Sequence, residues 1–118
     1  MLHAGVENDA VLTEAVRQTY LQPYRDDPGA WIALRKCLRE TNIKTAWEQE
    51  IRPRLATLRL PILLLWGGND EFVPVAFGRK LHEMLPHAQM EVILRSGHYV
   101  QEDRPEEVRA ALKAFLMQ

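Results

Sequence analysis

Asp70 and His98 are the two residues of this chain whose types and surroundings could do chemistry together. A carboxylate beside an imidazole fixes the ring's tautomer and stabilises the imidazolium, as proton transfer in acyl-transfer chemistry requires. Asp70 lies in Trp66-Gly67-Gly68-Asn69-Asp70-Glu71-Phe72-Val73-Pro74, and His98 in Ser96-Gly97-His98-Tyr99-Val100-Gln101-Glu102-Asp103-Arg104-Pro105. Each stretch follows a short apolar run, and its glycines allow a tight turn at that point. Taken singly, Asp70 reads as a turn residue, which Gly-Gly-Asn-Asp favours, and His98 as a structural loop histidine.

The elements that must position this pair come from the hydrophobic pattern. Ile62-Leu63-Leu64-Leu65-Trp66 is a continuous apolar run between Pro61 and Gly67-Gly68. An uninterrupted run predicts a parallel strand covered on both faces. Val75 to Leu85 carries Phe77, Leu81, Met84 and Leu85 at helical spacing, Met90 to Leu94 reads as a second strand, and Pro105 to Met117 as a helix. Strand, helix and parallel strand form a right-handed unit. Open α/β sheets place their sites at the carboxyl ends of the strands, so the two loops should share one rim.

Upstream the period is helical. Thr13 is a plausible N-cap of a helix to about Leu21, with Val16, Tyr20 and Leu21 as its apolar stripe. Pro23 and Asp26-Asp27 should then break it. Asp27 as N-cap and Pro28 at the first position start a second helix. Trp31, Leu34, Cys37 and Leu38 share a face of it, and it should stop near Asn42. A third helix is expected over Thr45 to Ile51, before Pro53. The chain thus divides into a helical part, 1–50, and a βαβα part, 51–118.

Composition narrows the class. The 118 residues are 47% hydrophobic and 26% charged, an ordinary globular balance. Fifteen basic and sixteen acidic residues are interspersed, for a net charge of −1, so no nucleic-acid or anionic-membrane partner is implied. The apolar run at Leu60 to Trp66 is too short to span a bilayer. Met1-Leu2-His3-Ala4-Gly5 lacks the regions of a signal peptide, and a soluble, cytoplasmic protein is expected. The one cysteine, Cys37, excludes an intramolecular disulfide; on an apolar helix face it is expected to be a small buried hydrophobe. His3, His82 and His87 lack ligand spacing with other donors, so neither metal nor cofactor is expected. A single βαβα unit does not cover a two-sided sheet. The edge of its first strand calls for shielding by the helical part or by another chain.

From Leu60 to Leu116 the chain resembles the last two βα units of α/β-hydrolases. Pro61, Trp66, Gly67, Asp70, Pro74, Leu81, Pro86, Gly97, His98, Glu102, Asp103, Pro105 and Phe115 carry that resemblance. Residues 12–50, with Pro23-Tyr24 and Pro28-Gly29-Ala30, resemble more loosely the end of the helical cap that covers the site in many members. The resemblance implies a partial α/β-hydrolase fold, a βαβα unit of parallel sheet preceded by cap-like helices. It also implies that Asp70 is the triad acid and His98 the general base. Members carry a Gly-x-Ser-x-Gly or Gly-x-Asp-x-Gly elbow and a His-Gly oxyanion loop upstream. Neither motif occurs in these residues, and Ser96 lacks the flanks of an elbow.

Other residues read more plainly. Glu102 and Asp103 are expected to be helix-start carboxylates that cap and complement the dipole. Tyr20, Tyr24 and Trp31 could line a pocket under a cap, but core or interface packing is the expectation. The functional expectation is a C-terminal portion of a hydrolase acting on a small ester or related bond, inactive alone. Its partners would be a small-molecule substrate once complemented, and either a homo-oligomer or an N-terminal half. The alternative is a non-catalytic truncated module that folds as an oligomer.

Overall fold

The computed structural model describes residues 3–40, 42–55 and 57–118; the side chains of His3 and Ile43 lie outside that description. Met1 and Leu2, read above for a leader, also lie outside it. By its contacts the chain forms two compact units, one of residues 13–58 and one of residues 1–12 with 59–118. The sequence pattern sets one boundary, at 50/51; contacts divide the chain at 12/13 and 58/59.

In the helical unit, α1 spans Glu14–Asp26, with the Thr13 hydroxyl accepting from Val16 N as N-cap. It runs through Pro23, where a break was expected near Leu21. Proline removes one intrahelical donor, but it sits close to the C-terminal end. There the Asp27 amide closes the last turn on Pro23 O at 3.2 Å, and Gln22 donates to the Asp26 carboxylate one turn on. Helix α2 spans Pro28–Glu40. The Asp27 carboxylate accepts from Gly29 N at 2.7 Å, the cap that the sequence implied. The stripe on α2 is not covered as expected: Trp31 is 57% exposed and Leu38 67%, and Cys37 is exposed rather than buried. Tyr24 and Trp31 pack ring against ring, with centroids 5.5 Å apart.

Helix α3 (Ile43–Ala46), a π-helical turn (Trp47–Ile51) and α4 (Arg52–Leu55) follow without interruption. Pro53 was expected to lie beyond the end of a helix; it lies inside this run, at the second position of α4. The π register lets the chain pass it by rearranging the local hydrogen bonds.

In the second unit, β1 (Leu63–Gly67) pairs in parallel with β2 (Gln89–Ile93), Leu63 opposite Gln89 and Gly67 opposite Ile93. Helix α5 (Val75–Met84) connects them, and the short α6 (Val100–Asp103) precedes α7 (Pro105–Leu116). Both α5 and α7 pack on the strands. The core here is Leu12, Leu85, Ala88, Ile93 and Ala111. The coverage of β1 departs from expectation. Leu63, Leu64, Leu65 and Trp66 are only half-buried, not enclosed on both faces. No helix among the described residues is long and apolar enough to cross a membrane.

Candidate active site

Asp70 leaves β1 by a turn held at several points. Gly68 N donates to Ile93 O at 2.8 Å and Asn69 N to Ser96 O at 2.9 Å, so the acid-bearing loop is bonded directly to the chain that carries the base. Gly67 is required where the two meet: a Cβ there would lie 2.0 Å from Gly97 O. Trp66 Nε1 donates to Val73 O at 2.8 Å and closes the acid loop across its base.

The Asp70 side chain is buried, at 6% exposure, and its two oxygens divide the work. Oδ1 accepts from Phe72 N and Val73 N, each at 2.9 Å. Such a local turn bond fixes an aspartate without help from elsewhere. Oδ2 is then presented to His98, 2.9 Å from Nδ1. A carboxylate only accepts, so Nδ1 is the donor and the lone pair of the neutral ring sits on Nε2. Phe72 and Tyr99 flank the imidazole edge-on, each with its centroid 5.4 Å away. The side chain remains 39% exposed and can meet an incoming group.

The base loop begins with a tight reversal. Arg95 takes a left-handed conformation (φ 53°), costly for a side chain with a Cβ. Two bonds offset it: the Ser96 hydroxyl donates to Ile93 O at 2.7 Å, and Arg104 Nε donates to Arg95 O at 3.0 Å. Ser96 is fully buried, and it is the only serine in the chain. The unit formed by residues 1–12 and 59–118 contains no threonine and no cysteine. It therefore offers His98 no hydroxyl or thiol in a position to be activated as Ser, Thr or Cys nucleophiles are.

Two depressions adjoin the pair. One, of about 550 Å³, is lined by Asp70, Asn69, Glu71 and Gly97 together with Ala4, Val6 and Glu7. A smaller recess of about 190 Å³ is lined by Asp70 and His98 together with Leu65, Trp66, Val73 and Val100. Among the described residues no group of three or more His, Cys, Asp or Glu is arranged to hold a metal ion. His82 is spent on structure, its Nε2 2.8 Å from Ala88 O.

The structure thus brings together the two residues singled out from the sequence. Asp103, expected to cap a helix start, does something else. Helix α7 has no side-chain cap, and the Asp103 carboxylate instead accepts from the backbone of Gly97, Glu7 and Asn8. The involvement of residues 4–8 had no signal in the local sequence pattern.

A sequence model of the alpha/beta hydrolase family matches residues 3–111. An uncharacterized hydrolase of Bacillus subtilis, YugF, is 28% identical over 94% of this chain and 38% of its own length. A 2-hydroxy-6-oxononadienedioate/2-hydroxy-6-oxononatrienedioate hydrolase of Burkholderia vietnamiensis is 28% identical over 98% of the chain and 39% of its own length. A 2-hydroxy-6-oxo-6-phenylhexa-2,4-dienoate hydrolase of Burkholderia cepacia is 40% identical over 48% of the chain and 19% of its own length. The chain therefore spans well under half the length of these relatives.

Proposed function

This chain belongs to the alpha/beta hydrolase family, and we propose that Asp70 and His98 are the acid and general base of a hydrolytic site whose nucleophile comes from outside these 118 residues. One observation carries the proposal: the bond from His98 Nδ1 to a buried, backbone-anchored Asp70, which places the lone pair of the neutral ring on the opposite nitrogen. In that setting Nε2 takes a proton from the attacking group, and Asp70 stabilises the imidazolium that results. The same proton is then delivered to the leaving group. The oxyanion donors also come from outside.

The substrate class is a small ester or a carbon–carbon bond activated by a neighbouring carbonyl. The names of the two dienoate-type relatives support the second. A 6-oxo group is a ketone with no heteroatom to leave, so its hydrolysis must break a carbon–carbon bond and place the electron pair on carbon. A general acid that returns a proton to that carbon is what a His98-type base becomes after its first step.

The test is a chimera in which this chain replaces the aligned segment of the Bacillus subtilis relative, assayed with a chromogenic short-chain ester. Turnover is expected, with His98→Ala lowering kcat by about 10³-fold. Asp70→Asn should cost a similar factor through the wrong ring tautomer, about 10³-fold or more. Equal turnover in the folded chimera and its His98→Ala variant would remove the base assignment.

A further inference from the structure

The acid–base pair does not account for Asp103. The residue is 9% exposed, at the end of α6. It receives Gly97 N on Oδ2 at 2.8 Å, Glu7 N on Oδ2 at 2.9 Å and on Oδ1 at 3.0 Å, and Asn8 N on Oδ1 at 3.2 Å. A carboxylate withdrawn from water is costly unless such donors surround it. None of the three is in α7, the helix that Asp103 was expected to start.

What these donors have in common is their relation to His98. Gly97 is the residue before it. Tyr99, the residue after it, donates its backbone N–H to Gly5 O at 2.7 Å. The residue before His98 is therefore tied through its N–H to Asp103, and the peptide after His98 to the segment that Asp103 also holds through Glu7 and Asn8. The segment reaches the acid loop as well, because Asn69 Nδ2 donates to Glu7 Oε2 at 2.6 Å. The approach is close: a Cβ on Gly5 would lie 2.2 Å from the Tyr99 ring. Residues 5–8 thus form a strap across both loops, and Asp103 is the group that fastens the strap to the base loop.

We propose that Asp103 is a positioning residue that sets His98 against Asp70 by holding Gly97 and the strap at 5–8 on one carboxylate. This deepens the acid–base reading and rests on it. Asp103 touches neither ring nor substrate; it acts through the backbone on both sides of His98. Oδ2 joins the two sides, accepting from Gly97 N and Glu7 N, while Oδ1 takes Glu7 N and Asn8 N of the strap, so both oxygens are engaged as acceptors. An asparagine has one accepting oxygen, and its amide group would face at least one N–H as donor against donor.

The test reads the His98 ring directly, by NMR of the 15N-labelled chain, and needs no turnover. In Asp103→Asn the signal of the His98 Nδ1 proton bonded to Asp70 is expected to be lost, together with the downfield position of the Gly97 amide. Amides of α7 and of the β1–β2 pair should keep their shifts. Glu106→Gln, which removes a surface carboxylate on α7, should alter none of these signals. An unchanged His98 ring in folded Asp103→Asn would overturn the proposal. Should that variant not fold, deuterium exchange in the unsubstituted chain decides. The Gly97, Glu7 and Asn8 amides are expected to exchange as one unit with equal protection; a Gly97 amide that exchanges independently and faster refutes a shared clamp. Loss of the ring signal in Asp103→Asn beside an inactive chimera would fault the catalytic reading and leave the positioning role standing. An active chimera with an unmoved ring would do the reverse.

Discussion

The two units obtain their order in different ways. From Thr13 to Leu58 no described residue is buried, and Trp31 and Leu38 are largely exposed on the apolar face of α2, where a helix usually packs. The other unit encloses Leu12, Leu85, Ala88, Ile93 and Ala111 and holds its loops by bonds between residues far apart in sequence. Local signals suffice for the first: a threonine cap, an aspartate before Pro28, and pairs one turn apart such as Arg52 with Glu48. Such pairs are each worth only about 0.2–0.5 kcal/mol, and isolated helices of about this length are marginal in water. Stability should therefore be concentrated in the unit that carries Asp70 and His98.

The largest test of that contrast is Leu85→Ala. Leu85 is 2% exposed, just past the end of α5. Truncation is expected to cost about 2–5 kcal/mol, since it removes buried methyl groups and leaves a cavity. Chemical denaturation followed by fluorescence in a Trp31→Phe, Trp47→Phe background would report it, since Trp66 in β1 of the same unit is then the one tryptophan. A loss below about 1 kcal/mol would mean that this core does not carry the fold. A smaller effect is expected of Thr13→Ala, which deletes the N-cap of α1. The hydroxyl accepts from Val16 N at 3.3 Å, a long bond, so the cost should be near the low end of the usual range, about 0.5–1 kcal/mol. It should appear as lost helical circular dichroism with the Leu85-dependent transition unmoved. Coincident shifts of both would show one cooperative unit in place of two.

The same contrast explains what could be read in advance. The parallel strand pair, α5, α7 and the meeting of Asp70 with His98 all follow from signals within ten or so residues: an apolar run, a glycine turn, a helical stripe. The strands sit within one residue of their expected positions. The Asp103 clamp was not legible, because Glu7 and Asp103 are 96 positions apart and no local period connects them. Its sequence trace, an acidic residue two before Pro105, is shared with ordinary helix starts. The helical unit misled for another reason. A proline inside a helix ordinarily breaks it, but near the end of α1 and beside a π turn the bond lost at Pro23 and Pro53 is easily rerouted. Burial of Cys37 was inferred from the period of α2, and a period identifies a face without supplying what covers it.

Leu38→Ala isolates that last distinction and should have the smallest effect. It repeats the chemistry of Leu85→Ala on the apolar face of α2, where Leu38 is 67% exposed. With no cavity to leave and little apolar surface to re-expose, the expected change is within about 0.5 kcal/mol. Leucine and alanine also have nearly equal helix propensity, so the backbone adds little. The measurement is the helical circular dichroism followed through denaturation, taken at two protein concentrations well apart. A loss of more than about 1 kcal/mol would break the comparison, because it would show Leu38 to be buried in solution. If that loss grew with concentration, the covering surface would be another copy of the chain, since only association makes apparent stability depend on concentration. A curve that moves at neither concentration leaves the face of α2 solvated, with its order supplied by local bonds.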